Sequence, residues 1–167
     1  SGTVDKCRFE KQVHKTEGTK EIIETWLEDG RGHHFVHILT WTKGEYALGS
    51  TTTIINNDDA PTTLELLTSF SIGLISPFEE ADASECLKLH RIRSKWSQEG
   101  RLVTESAEDL QLEPSWAYWQ VNSARYGQIG SMPVKGYFPF GAVEDTKAGV
   151  VWAAQLAIEC SWQMEFY

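Results

Sequence analysis

The feature that most constrains the fold is an alternation of apolar and polar residues with a period of two. In residues 21–28, Ile22 and Trp26 fall on one side and Ile23 and Leu27 on the other, as in a β-strand with two partly covered faces. The same alternation predicts further strands, with turn signals between them, over residues 33–41, 46–56, 62–76, 86–96 and 149–167. We expect the last of these stretches to supply the clearest pair of core strands. Many short strands without alternating long helices predict an all-β, antiparallel sandwich.

A helix is predicted at one place only. Thr104–Gln111 carries a Ser106-x-x-Asp109 capping pattern, and Pro114 limits a helix there to about two turns. Helix content should therefore be low, with at most one or two short helices. Because domains usually contain about 100–200 residues, we expect residues 1–167 to form a single domain.

The charge balance excludes some partners. The net charge is -9 and the isoelectric point is near 5.0, which disfavours binding to phosphate backbones and to anionic membranes. We therefore predict neither a nucleic-acid partner nor a membrane partner. The chain has no apolar run long enough to span a bilayer and no basic-then-apolar leader, so a cytoplasmic location is the default expectation.

The sequence contains three closely spaced histidines, His33, His34 and His37, and imidazole is a common metal ligand. A metal site is therefore one hypothesis for these residues. On a strand, residues 33 and 37 lie about 13 Å apart and residue 34 faces the opposite side. We therefore predict no metal site. The chain also lacks a glycine-rich phosphate loop, a Gly-x-Ser-x-Gly elbow and a His-Glu-x-x-His helix, so no cofactor is expected.

Residues 87–119 combine arginines with tryptophans, which offer rigid donors to hydroxyl groups and flat apolar faces to sugar rings. The alternative is that the tryptophans belong to the core and the arginines pair with nearby acids. Both readings stay open. The candidate binding residues in this segment are Arg91, Arg93, Trp96, Trp116 and Trp119.

The second half of the chain contains a series of distinctive motifs: Leu89-His90-Arg91-Ile92-Arg93-Ser94-Lys95-Trp96-Ser97, Leu112-Glu113-Pro114-Ser115-Trp116, Gly127-Gln128, Gly130-Ser131-Met132-Pro133, Phe138-Pro139-Phe140, Glu144-Asp145, Trp152-x-x-Gln155 and Cys160-Ser161-Trp162-Gln163. In order and spacing they resemble motifs in the N-terminal domain of family 36 glycoside hydrolases, the α-galactosidase group. The likeness is strong over residues 87–167 and softer over 45–76. A related bacterial loop pattern matches at Ser123, Arg125, Pro139 and Phe140, and differs where that pattern has His and Asn.

The resemblance implies that the chain forms a β-supersandwich of the galactose-mutarotase type. It also implies that this domain is non-catalytic in the glycosidase. In that family two catalytic aspartates lie in a following (β/α)8 barrel, which is not among these 167 residues. The family's sandwich is usually longer than this chain, which suggests a central part of it. The resemblance further implies three partners: the barrel, galactose-containing saccharides and a second copy of the chain. It adds Arg125 to the residues expected to line the substrate site or the interface.

Two alternative functions stay open. The same aromatic residues would serve a stand-alone carbohydrate-binding module. An aldose mutarotase would use a histidine and a carboxylate as acid and base, and His90 with Glu144 is the candidate pair.

Overall fold

The computed structural model describes residues 6–73, 75, 85–112, 122–130 and 135–167. Within these ranges the chain forms antiparallel β-strands and no α-helix. The all-β, antiparallel fold class that the alternation predicts is therefore confirmed. The strands are β1 (Arg8–Glu17), β2 (Lys20–Glu28), β3 (His33–Thr42), β4 (Leu48–Asn56), β5 (Leu87–Arg93), β6 (Leu102–Ser106), β7 (Ala124–Gln128), β8 (Tyr137–Asp145), β9 (Val150–Gln155) and β10 (Trp162–Phe166).

The first compact unit, Ser1–Gly73, contains a four-stranded meander in the order β1-β2-β3-β4. Its three connections contain Gly18, Gly30, Gly32 and Gly44, all with positive φ. Short turns of this kind join neighbouring antiparallel strands, and glycine adopts positive φ without steric cost. Val36 in the central strand β3 is the one apolar residue of this unit's described part that is fully buried.

The segment after β4 differs from the expectation. A strand was predicted over 62–76, but residues 62–73 pair with no other strand. Side chains of β4 hold this segment instead, because Ser50 Oγ donates to the Ser69 carbonyl (2.7 Å) and Thr52 Oγ1 to the Thr68 carbonyl (3.1 Å). Hydroxyl groups thus satisfy part of its backbone, and the apolar alternation does not lead to a ladder.

The second unit, Leu74–Tyr167, contains a four-stranded sheet in the order β6-β5-β8-β9 and a two-stranded sheet, β10-β7. The two final strands do not pair with each other, since β9 pairs with β8 and β10 with β7. β9 is an edge strand in which Val151 and Trp152 are exposed. The prediction that 149–167 forms a core strand pair was therefore wrong for β9, while Trp162 in β10 is buried as expected.

The predicted helix at Thr104–Gln111 is also wrong. The capping bonds do form, because Asp109 N donates to Ser106 Oγ (3.0 Å) and Ser106 N donates to Asp109 Oδ2 (3.1 Å). However, Leu102–Ser106 continues as strand β6, and the following turn closes at Gln111, whose φ is 55°. A left-handed residue ends a helical turn, so the capping pattern here begins only a turn.

Two glycines allow close approaches in the second unit, Gly127 between the paired strands β7 and β10, and Gly141 between β8 and the side chains of β7 and β10. A Cβ on Gly127 of β7 would collide with the Trp162 carbonyl oxygen and lie 2.9 Å from Gln163 Cα in β10. A Cβ on Gly141 of β8 would collide with the Tyr126 hydroxyl and lie 2.7 Å from Phe166 Cζ.

No observation tests whether residues 1–167 form one domain, so that expectation stays a prediction.

Candidate functional site

Strand β5 carries the central motif of the sequence and lies in the middle of its sheet, between β6 and β8. The register sets Leu89 beside Glu105 of β6 and Val143 of β8, and Arg91 beside Val103 and Gly141. Leu89 and Arg91 therefore point to the same face, and both are buried. A cation is thus built into a largely buried face of the sheet, on which Glu105 also lies.

Arg91 is 7% exposed and is held by an anion and two rings. Its Nη2 donates to Glu105 Oε2, and its guanidinium lies 5.2 Å from the ring centre of Tyr126 and 4.7 Å from that of Tyr137. A buried arginine needs such partners because leaving an ionised group unpaired in the interior costs several kcal/mol. Its Nε is buried and has no hydrogen-bond partner.

Arg93 shares one of these rings with Arg91. Its guanidinium lies 4.6 Å from the ring centre of Tyr137. The structure therefore brings Arg91 and Arg93 together around a single tyrosine, with two positive charges and one carboxylate, that of Glu105. Arg93 is only half-buried, so its side chain can contact both the cluster and a ligand at the surface.

Tyr126 lies at the centre of the aromatic cluster behind Arg91. Its ring meets Trp162 edge-on (5.7 Å) and stacks on Phe166 (6.1 Å), and its hydroxyl donates to the Phe140 carbonyl (2.6 Å). Burial raises the pKa of the phenol above its ordinary value, and the nearby Arg91 charge opposes this only in part. The phenol therefore stays a neutral donor that ties β7 to β8.

Trp96 lies apart from this cluster, in the β5–β6 hairpin. The hairpin is closed by Arg93 N donating to the Arg101 carbonyl (2.9 Å), and Ser97 next to Trp96 has a φ of 65°. The Trp96 side chain is 87% exposed. An indole presented to solvent on a rigid turn is suited to stacking against a sugar ring or a partner surface.

One further predicted residue, Arg125, is not brought to the arginine pair. Arg125 lies next to Tyr126 in β7, but strand alternation puts it on the opposite, exposed face, where its Nη2 donates to Glu165 Oε1 (2.7 Å). This ion pair, together with a hydrogen bond from Ser123, lowers the pKa of Glu165. Trp116 and Trp119 lie outside the described residues.

His90 and Glu144, the pair named for mutarotase chemistry, are in contact. His90 Nε2 lies 2.9 Å from Glu144 Oε2, and His90 Nδ1 lies 2.8 Å from Thr104 Oγ1. Because β5 alternates, this polar row lies on the face opposite Arg91. Both ring nitrogens are occupied within the protein, so a sugar would have to displace one partner before His90 could transfer a proton to it.

Sequence reasoning missed Glu105, Tyr126 and Tyr137 as parts of the site. One signal was present for Glu105: the alternation Leu87, Leu89, Arg91 predicts a buried cation, which requires a nearby anion. The alternation alone does not show which carboxylate pairs with it, because the register between strands decides that.

The three histidines considered as metal ligands, His33, His34 and His37, contact different partners. His33 contacts Asp29 and Thr62, His34 contacts Glu10, and His37 contacts Thr52. Across residues 6–73, 75, 85–112, 122–130 and 135–167, no group of histidine, cysteine and acidic side chains is arranged to hold a metal ion.

Comparison with known proteins identifies no relative. No family model matches the chain, and neither the curated proteins nor the solved structures contain a significant match. In the described part of the chain, no helix is long and apolar enough to cross a membrane.

Proposed function

We propose that the chain is an N-terminal β-sandwich domain of an α-galactosidase-type or α-N-acetylgalactosaminidase-type glycoside hydrolase, and that it is non-catalytic in glycoside hydrolysis. Its role is to shape the substrate site and the interface with the catalytic barrel or a second subunit. The motif resemblance is the origin of this proposal. The arrangement of the motifs in the second unit supports it.

The supporting observation is that motif segments far apart in sequence lie side by side. The Leu89–Arg93 motif pairs along β8 with the segment that contains Phe140 and Glu144. The Gly127-Gln128 and Trp162-Gln163 motifs form the β7–β10 ladder, with Trp162 opposite Gln128.

The surface best suited to a barrel or a sugar contains Arg93 and Trp96. Both belong to one hairpin, and each has a side chain that solvent reaches. Arg91 lies beneath Arg93 and fixes Tyr137, the ring that both guanidinium groups contact. In this proposal Arg91 positions the surface and does not itself touch the ligand.

The test is complementation. A family 36 barrel is prepared without its own N-terminal domain, and hydrolysis of p-nitrophenyl α-galactoside is measured with and without this chain fused in front. We expect the fusion to raise kcat/KM. A barrel that is fully active alone would count against the proposal.

A stand-alone carbohydrate-binding module is the second candidate, and the exposure of Trp96 favours it. Titration of the isolated chain with galactose, raffinose or melibiose separates the two functions. Heat release together with a shift in tryptophan fluorescence at millimolar sugar supports the module. If Trp96→Ala leaves both signals unchanged, the bound sugar does not use this hairpin.

The mutarotase alternative depends on His90 and Glu144. Polarimetry of fresh α-galactose tests it, and an acceleration lost in Glu144→Gln would favour it. An unchanged rate of mutarotation would rule it out.

A further inference from the structure

The first unit contains a hydrogen-bonded relay of an acid, an imidazole and a hydroxyl. Asp29 Oδ2 lies 2.7 Å from His33 Nδ1, and His33 Nε2 lies 2.7 Å from Thr62 Oγ1. The carboxylate, ring and hydroxyl thus stand in the order that activates a nucleophile in hydrolases, an arrangement recognised by geometry and not by sequence position.

The acid of the relay is fixed in place. Asp29 lies in the β2–β3 turn, and its Oδ1 accepts hydrogen bonds from the backbone amides of Arg31 (2.8 Å) and His33 (3.2 Å). Burial alone would raise the pKa of Asp29, but the hydrogen bonds from the His33 ring and these amides bring it below its ordinary value. The side chain of Asp29 is only 4% exposed, so this carboxylate is ionised and shielded from water.

The acid also sets the tautomer of the imidazole. A carboxylate can only accept, so His33 Nδ1 donates its proton to Asp29. In the neutral ring, Nε2 then carries the lone pair and accepts the hydroxyl proton of Thr62. This is the orientation that a general base requires.

Thr62 is accessible at the end of the relay. It is exposed and follows a turn in which Asn56 Nδ2 donates to the Ala60 carbonyl (2.9 Å). The amide of Asn57 also donates to the Gly32 carbonyl (2.9 Å), which links this turn to the one that contains Asp29. Hydrogen bonds within and between the two turns therefore fix Asp29 and order the residues before Thr62, and Thr62 itself is exposed.

A second histidine–threonine pair in the same sheet supplies an internal contrast. His37 Nδ1 lies 3.1 Å from Thr52 Oγ1. Here the Thr52 hydroxyl donates to the Thr68 carbonyl, and no carboxylate in the described residues contacts His37. Thr52 therefore lacks the two features that would activate it.

We propose that Thr62, His33 and Asp29 form an acyl-transfer site that hydrolyses small carboxylic esters. Thr62 Oγ1 bonds to the ester carbonyl carbon while its proton passes to His33 Nε2. The ester C–O bond then breaks, and the departing alcohol takes that proton. Water next attacks the acyl-threonine with His33 as base, which releases the carboxylic acid and restores Thr62. One ester and one water give one acid and one alcohol.

The experiment uses p-nitrophenyl acetate with the full chain. We measure release of p-nitrophenolate and, after quenching, search the peptide containing Thr62 for an added acetyl group by mass spectrometry. Thr62→Val removes the hydroxyl at nearly constant shape, and we expect it to lower the rate by about 100-fold, the usual range for loss of base-assisted attack. Thr62→Ser should keep the activity. Thr52→Val is the matched control and should leave the rate unchanged.

The possible outcomes distinguish a catalytic site from a set of hydrogen bonds that only stabilises the fold. Acetylation at Thr62 that is lost in Asp29→Asn supports the proposal. Activity that survives Thr62→Val but is lost in His33→Gln would show direct attack by imidazole and overturn the role of Thr62. Absence of acetylation together with equal rates for Thr62→Val and Thr52→Val would overturn the site as a whole. Because Thr62 is exposed, its variants are expected to fold even if His33→Gln does not.

Discussion

The ion pair between Arg91 and Glu105 should be among the most costly interactions to remove from the second unit. Arg91→Met keeps an unbranched stem against the aromatic cluster but takes away the charge. Breaking a buried pair costs about 3–5 kcal/mol. The Glu105 side chain is 28% exposed and can regain water, so we expect a loss of about 2–3 kcal/mol for Arg91→Met.

The reverse change should cost more. Glu105→Ala leaves the Arg91 guanidinium, with its side chain 9% exposed, without its carboxylate. We expect a loss of about 3–4 kcal/mol because this cation cannot reach water. The double variant should lose less than the sum of the single variants, with a coupling of about 2 kcal/mol for groups in direct contact.

The assay should report on the second unit alone, since a chain of two compact units can unfold in more than one step. Hydrogen exchange of the β5 and β8 amides, followed in peptides across urea concentrations, gives the free energy of opening for that sheet. Arg125→Met is the control, because the Arg125–Glu165 pair is exposed and an ion pair at the surface contributes little to stability. Additive effects of Arg91→Met and Glu105→Ala would refute the reasoning.

Three further predictions follow from close packing, buried charge and exposure. Gly141→Ala places a methyl group against the Tyr126 hydroxyl and should destabilise the second unit by about 1–3 kcal/mol in urea unfolding, whereas Gly136→Ala, with open space around it, should not. The pKa of Asp29 in the folded state lies below its ordinary value. The ionised carboxylate therefore stabilises the fold fully when the pH is above the ordinary pKa, and this stabilisation is lost as the pH falls through the folded-state pKa. Asp29→Asn should therefore cost about 2 kcal/mol at neutral pH, and the deficit should shrink on acidification in equilibrium unfolding; a deficit that does not depend on pH would contradict this. Trp96→Ala should leave the melting temperature within about 2 °C of that of the parent chain, because an exposed indole packs against little.

The period-two pattern predicts much of the fold, because a strand with one buried face has apolar residues at every second position. β2, β3 and β5 lie where the alternation predicts them. The pattern fails for β1, whose residues are mostly charged or polar and which is an edge strand with one side open to solvent. Such a strand is stabilised by backbone pairing with β2, and backbone pairing leaves no side-chain signature.

Two of the wrong predictions have a common cause. Residues 62–73 alternate like a strand but are held by hydroxyl groups of β4, and Ser106–Asp109 forms a helix cap without a helix. In both places the local pattern is correct and a longer-range contact or a strand register decides the outcome. Local propensity is commonly overridden in this way.

The site was predictable only in its residue types. Arg91 and Arg93 were identified from the sequence, but the burial of Arg91 depends on Glu105 across one strand pair and Tyr137 across another. His90 and Glu144 lie 54 positions apart and meet because β5 and β8 are neighbours. Register between strands is fixed by the whole sheet, so single-sequence reasoning could not provide the partners of Arg91, although it did name His90 and Glu144 as a candidate pair.

The most direct test of the central claim compares three fusions of this chain to a family 36 barrel: the unaltered chain, Trp96→Ala and Tyr46→Ala. Tyr46 is an equally exposed aromatic residue of the first unit and serves as the control. The measured quantity is kcat/KM for p-nitrophenyl α-galactoside. We predict that Trp96→Ala loses most of the gain that the fused chain provides, whereas Tyr46→Ala retains it. Equal activity of all three fusions and the bare barrel would contradict the claim that this domain serves a glycosidase.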